Sequence, residues 1–216
     1  LEGRDELRFD AVIVDEGQDF SPEMWMSIEA LLKDDTSKMF IFSDTNQGLY
    51  SKVDNVPNLS PPFLLQANCR NTRQIHQRAY KEYEGPLIAP PNIDGADIVD
   101  FPEKLVSSQV KYIGDLLTEL ISKGDVDLED VVILIANSAN HADCLEHLTG
   151  MNRKFKFTNN EHYLDGHIRV STVKRFKGME ATVLILWGLG EVPEHARREL
   201  HYVGVSRAKS LCFIVN

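Results

Sequence analysis

Asp10–Phe20 reads DAVIVDEGQDF: four apolar residues, Ala11–Val14, followed at once by Asp15, Glu16, Gln18 and Asp19. A short unbroken apolar run of this kind predicts a strand buried on both faces, as found inside parallel sheets. Unpaired charge is costly to bury, so the acids are expected to emerge at the strand's carboxyl end. In open α/β sheets that edge is where ligands bind. Two adjacent carboxylates there suit a hydrated Mg²⁺ and an activated water, which is what cleavage of a nucleoside triphosphate requires. An acidic loop after a core strand would look the same, so the parts downstream have to decide.

The bulk properties narrow the choice. A chain of 216 residues, 43% hydrophobic and 26% charged, has room for one large or two small α/β domains with a real core. No apolar run approaches the roughly 20 residues that span a bilayer, so no membrane partner is expected. Cys69, Cys144 and Cys212 lie far apart without paired spacing, which points to a reducing, cytoplasmic setting. A net charge of -10 opposes non-specific nucleic-acid binding by the whole surface. Any DNA contact must therefore come from local groups.

Outward from the first strand, Ser21-Pro22-Glu23 starts a helix with Ser21 as cap, and Met24, Ile28, Leu31 and Leu32 give it an apolar stripe. Lys38–Phe42 (KMFIF) predicts the next strand, which again runs into polar residues, Ser43 to Gln47. Asn55–Pro62 is turn-rich and is the expected domain joint, giving domains over 1–62 and 63–216. Phe63–Gln66 predicts a short strand leading to Asn68 and Arg70, and Asn71–Glu84 a helix with Ile75, Ala79 and Tyr80 inward. Further strands are expected over Asp97–Phe101, Val131–Ala136, Lys154–Phe157, Ile168–Ser171, Thr182–Trp187 and Leu211–Val215. Helices are expected over Ser107–Ser122, His141–Leu148 and Glu194–Ala208. Alternating strand and helix argues for parallel sheets flanked by helices.

Acids at some strand ends and isolated arginines elsewhere suit triphosphate hydrolysis, in which carboxylates manage metal and water while arginines neutralise charge on the transferred phosphoryl group. Here the sequence resembles a known family, the UvrD/Rep branch of superfamily 1 helicases. VDEGQDF at Val14–Phe20 is similar to that family's second motif, and SDTNQGLY at Ser43–Tyr50 to the third, with Ser43 where Gly is usual. LQANCRNT at Leu65–Thr72 resembles the fourth, VSTVKRFKGME at Val170–Glu180 the fifth, and HYVGVSRAK at His201–Lys209 the sixth. No single motif is specific; five in the right order are.

The resemblance implies a RecA-like (P-loop NTPase type) fold, with the trailing part of one motor domain and a near-complete, compact second one. Asp15 would hold Mg²⁺ and Glu16 would be the base for the attacking water. Gln18 and Gln47 would sense the γ-phosphate of ATP, and Arg70 and Arg207 would be arginine fingers. Glu180, beside Gly178, would contact the ribose. Tyr50 would stack on a DNA base, and Thr172 and Lys174 would touch the backbone of single-stranded or partly duplex DNA. Movement from 3′ to 5′ is implied. The early acids and the late arginine would line opposite walls of one ATP cleft.

Three departures stand out. Cys69 occupies the position where the family usually has a Tyr that stacks on adenine, and Lys174 replaces the usual His of the fifth motif. No G-x-x-x-x-G-K-[ST] occurs in the 216 residues, so nothing in them cradles the β- and γ-phosphates. The chain is therefore expected to be the carboxyl-terminal part of a helicase, cut after its phosphate loop, and inactive alone. Between Phe157 and Val170 no room remains for the family's large accessory domain.

Two rival readings follow from the same residues. One is a non-catalytic helicase-like module that docks DNA or a partner. The other is metal-dependent phosphoester hydrolysis by Asp15, Glu16 and Asp19. His141, Cys144 and His147 do not form a zinc site, since six helical positions place the two histidines about 240° apart around the axis.

Overall fold

The computed structural model describes residues 7–44, 56, 57, 59, 61–83, 85–124, 126–160 and 164–216. The chain divides into two compact units, Leu1–Leu64 and Leu65–Asn216.

In the first unit, β1 (Ala11–Val14) pairs in parallel with β2 (Lys38–Ile41), Ile13 lying opposite Phe40. Helix α1 (Pro22–Glu29) connects them. Ser21 caps it as its sequence suggests, the hydroxyl accepting from the Met24 N–H at 3.4 Å, and Pro22 takes the first turn, where no amide donor is needed. Two expectations need correction here. The helix anchors itself through buried Trp25, with Ile28 and Leu32 half-buried on the same face, while Met24 is exposed. β1 is also not buried on both faces: Val14 is buried, but Ile13 is 70% exposed. Successive residues of a strand face opposite ways. Val12 and Val14 share a side with Met39 and Ile41, and the opposite side, carrying Ile13 and Phe40, has no covering element among the described residues.

The second unit is a six-stranded, wholly parallel sheet in the order β3-β8-β7-β4-β6-β5. Its strands are β3 (Val99–Phe101), β4 (Val131–Ile135), β5 (Lys156–Thr158), β6 (His167–Thr172), β7 (Ala181–Trp187) and β8 (Ala208–Val215). Here the apolar runs behave as predicted. β4 is buried at every position, and β7 at all but Thr182. Ile133, Ile135 and Ile185 meet α3 (Val106–Ser122) and α4 (His141–Met151) through Ile113, Leu117 and Leu148. The alternate residues face the other way. There Gly204 of α5 (Glu194–Ser206) lies so close to Leu186 that an added Cβ would sit 3.1 Å from it. α2 (Arg73–Ala79) packs beside α5, and Tyr80 and Tyr83 meet Tyr202 at ring-centroid distances of 5.6 and 5.5 Å. This is the α/β layering, a parallel sheet flanked by helices, that the alternation of strand and helix implied, and it agrees with the RecA-like fold that the resemblance implied.

Phe63–Gln66 is not a strand. Phe63 is 89% exposed, and the segment's ladder shrinks to one bridge between Ala67 and Ala89. An apolar run becomes a strand only where a neighbour can take its backbone bonds, and among the described residues the bonds made here are Asn68 N–H to Ala89 and Ala89 N–H to Gln66. The predicted helix over Asn71–Glu84 is likewise shorter, passing after Ala79 into a single 3₁₀ turn at Tyr80–Glu82. β8 starts at Ala208, so α5 stops at Ser206 and Arg207 is the junction.

Candidate functional site

In the first unit the acids do emerge where β1 ends. The Asp15 carboxylate accepts the Glu16 N–H at 2.9 Å. Glu16 itself is left-handed, with φ 53°, a conformation that disfavours any residue bearing a Cβ and that persists only where its surroundings impose it. What imposes it is the next residue. Gly17 donates its N–H to Phe42 at 2.8 Å, and a Cβ there would lie 2.6 Å from a methyl of Ile41. The turn is thus pressed onto the end of β2. Buried Gln18 spans the same gap: its amide nitrogen donates to the Glu16 carboxylate and its oxygen accepts the Asp44 N–H at 3.0 Å. Gln18 therefore braces the Glu16 side chain, a role the sequence did not suggest. Gln47 and Tyr50 lie outside the described residues.

Among the described residues no three His, Cys, Asp or Glu side chains converge on one point. A hydrated Mg²⁺ does not need three, since it takes one or two carboxylates and completes its shell with water and phosphate oxygen. Exposed Asp15, next to Glu16, suits such an ion.

In the second unit the sheet divides the candidate residues into two groups. Thr172 ends β6 at the carboxyl edge, its hydroxyl accepting the Arg175 N–H at 3.2 Å, with exposed Lys174 just beyond. Residues 173–180 then return to the amino edge, because β7 is parallel to the rest of the sheet and begins at Ala181. Gly178, with φ +80°, makes the turn that a side chain would strain, and Glu180 follows it. Thr172 is level with Trp187 through their common neighbour Ile135, so six residues of β7, about 20 Å, separate the two groups.

At the amino edge three distant segments meet. Arg70 forms an ion pair with Glu180 through its Nε. Beside Glu180, the Ala181 N–H donates to the carbonyl of Arg207 at 3.0 Å. Beside Arg70, Asn71 donates its amide to the carbonyls on either side of Arg207, those of Ser206 and Ala208, at 3.0 and 2.5 Å. The Asn71 side-chain oxygen accepts from Asn68 at 2.9 Å, and the Asn68 oxygen in turn accepts the Arg70 N–H at 2.9 Å. Arg70, Glu180 and Arg207 are therefore held by one hydrogen-bonded frame. Asn71 is the residue that sequence reasoning missed. It is only 5% exposed, and its partners lie more than 130 positions away.

Arg207 is 2% exposed, with Nε donating to Val203 and Nη2 to the Ser206 hydroxyl, both at 3.3 Å. A cation at the carboxyl end of α5 is favoured there by the helix dipole. The other two cysteines are inert by comparison with exposed Cys69: burial pushes the Cys144 thiol up to about 11 and that of Cys212 to about 12.

Comparison with known proteins gives a consistent picture. Residues 167–215 match the family model for the UvrD-like helicase C-terminal domain. The chain is 28% identical over 155 residues to the mitochondrial ATP-dependent DNA helicase HMI1 of Saccharomyces cerevisiae, an alignment covering 63% of this chain and 21% of that protein. The chain thus spans about a fifth of that relative's length. In fold it is similar to the C-terminal domain of a possible DNA helicase from Lactobacillus plantarum, with a TM-score of 0.53 and 20% identity over 68% of this chain and 85% of the other. No helix among the described residues is long and apolar enough to cross a membrane.

Proposed function

From the match of residues 167–215 to the UvrD-like helicase C-terminal domain, we propose that the chain is motor machinery of an ATP-dependent DNA helicase or translocase moving 3′ to 5′ on a single strand. Residues 1–62 would be the trailing part of a first motor domain and 63–216 a compact second one. The observation that carries the reading is the convergence of Arg70, Glu180 and Arg207 on one edge of the second sheet, with Thr172 and Lys174 at the opposite edge. Cations tied into a rigid frame suit a polyphosphate, because preorganised charge costs nothing to reorient when the phosphoryl group departs. The far edge would take the DNA backbone.

In the first unit Asp15 would hold Mg²⁺, which when bound neutralises phosphate charge. Glu16, its carboxylate braced by Gln18, would accept the proton of the attacking water, with Gln47 as a second polar group toward the γ-phosphate. Tyr50 would stack on a base, a contact worth about 1–3 kcal/mol. Gly178 allows the chain to turn so that Glu180 can face the ribose. These 216 residues hold no phosphate loop, so turnover is expected only from a polypeptide that supplies one.

The test is Glu16→Gln in such a polypeptide. DNA-stimulated ATP hydrolysis is expected to disappear while ATP binding stays; unchanged turnover would remove Glu16 from the role of base. Strand-displacement assays on substrates with a 3′ or a 5′ tail decide the direction.

A further inference from the structure

Arg70 and Glu180 occupy each other. Their side chains are 47% and 33% exposed, so a ligand can reach both. The main chain that carries each of them is anchored. The main chain at Arg70 is pinned by the Asn68 side chain, and the residue after Glu180 is bonded to Arg207. An anion that takes the Nε of Arg70 must displace a carboxylate already in place, and one that reaches only its other N–H groups still sits beside the negative charge of Glu180.

Resting on the reading that this edge receives a nucleotide, the geometry points to Glu180 as a specificity-determining residue that guards Arg70 against bare polyphosphate. A carboxylate only accepts hydrogen bonds. Ionised phosphate oxygens only accept as well, so inorganic polyphosphate offers Glu180 nothing in exchange for its arginine. A nucleoside triphosphate brings sugar hydroxyls, which donate. It can satisfy Glu180 with a hydroxyl while its phosphates take Arg70. The ion pair thus turns the presence of the sugar into a condition for releasing the arginine.

The experiment is calorimetric titration of the full 216-residue chain with magnesium-free tripolyphosphate and, separately, with ATP. Glu180→Gln is expected to raise tripolyphosphate affinity about three- to fivefold, the range set by a partly exposed ion pair. It should narrow the preference for ATP over tripolyphosphate, and the gain should vanish in an Arg70→Ala background. Glu129, an exposed acid lining the same groove as Glu180, supplies the control for simple loss of negative charge. No gain in Glu180→Gln, a gain matched by Glu129→Gln, or a gain that survives Arg70→Ala would each overturn the guard. Tripolyphosphate affinity that Arg70→Ala leaves unchanged overturns something else, the placement of phosphate on Arg70, and with it the underlying reading.

Discussion

The two units put the same kind of sequence to opposite use. AVIV at Ala11–Val14 and VVILI at Val131–Ile135 are both short apolar runs in parallel sheets, yet Ile13 is 70% exposed and Ile133 fully buried. The difference is the number of neighbours. β4 has strands on both sides and helices on both faces, whereas β1 has one paired strand and one covering helix among the described residues. Burial is a property of the assembly around a strand, and the strand's own residues only permit it. Small units bury a smaller share of their surface, so the framework in the second unit should be the stiffer one. The chain's two tryptophans fall one in each unit, Trp25 and Trp187, and make the contrast measurable. In a Trp25→Phe background, the fluorescence of Trp187 reports the second unit alone; in Trp187→Phe, Trp25 reports the first. Ile133→Ala should lower the urea midpoint seen by Trp187 by the equivalent of about 2–5 kcal/mol, the cost of a cavity in a closed core. Ile13→Ala should move the Trp25 transition by less than about 1 kcal/mol, since exposed positions lose little. Equal losses would break the comparison and mean that the face of Ile13 is covered in solution.

A smaller effect is expected at Asn71, where the second unit's rigidity reaches the candidate site. Asn71→Ala removes two hydrogen bonds to buried carbonyls and leaves them without that donor, which costs about 1–3 kcal/mol. The Trp187 transition should shift accordingly, while Arg70→Ala at the exposed end of the same frame should shift it by less than about 1 kcal/mol. If Asn71→Ala is silent, the frame that joins Arg70 to Arg207 does not hold in solution.

What the sequence could and could not say follows the same line. Local chemistry was legible: Ser21-Pro22 starts a helix whatever surrounds it, and β4 and β7 are apolar enough to be buried in any parallel sheet. The acids after Val14 and the arginines at 70 and 207 could be picked out by residue type and order. Choices that depend on partners were not legible. Met24 and Trp25 are both apolar, and only the position of β1 and β2 decides that Trp25 turns inward. Phe63–Gln66 has a strand's composition but no strand beside it among the described residues. The role of Asn71 is set by carbonyls of residues 206 and 208, and nothing in the tetrapeptide around it announces them.

His76 offers the finest test of that partner-dependent frame. Buried on α2, it stacks on Tyr80 with ring centroids 4.1 Å apart, and its Nδ1 lies 3.0 Å from the Asn68 amide nitrogen. Asn68 can only donate through that atom, so Nδ1 accepts and the ring is neutral. Burial holds the imidazole below its ordinary value, opposed by a weaker hydrogen bond to the Ile88 backbone. The unfolded chain, titrating near about 6.5, then binds the proton first, so stability rises with pH across the interval between the folded and unfolded values. It should be level above about pH 7.5 and fall as the pH drops below the unfolded value. Protonation also sets an N–H against the Asn68 amide, which must turn away and release its hold on Asn71. His76→Gln keeps an acceptor in reach and removes the titration. The loss of urea midpoint between pH 7.5 and 5.5, followed by Trp187, should therefore be smaller in His76→Gln than in the wild type. An identical loss in both would show that the proton goes elsewhere and that the frame around Asn68 is indifferent to it.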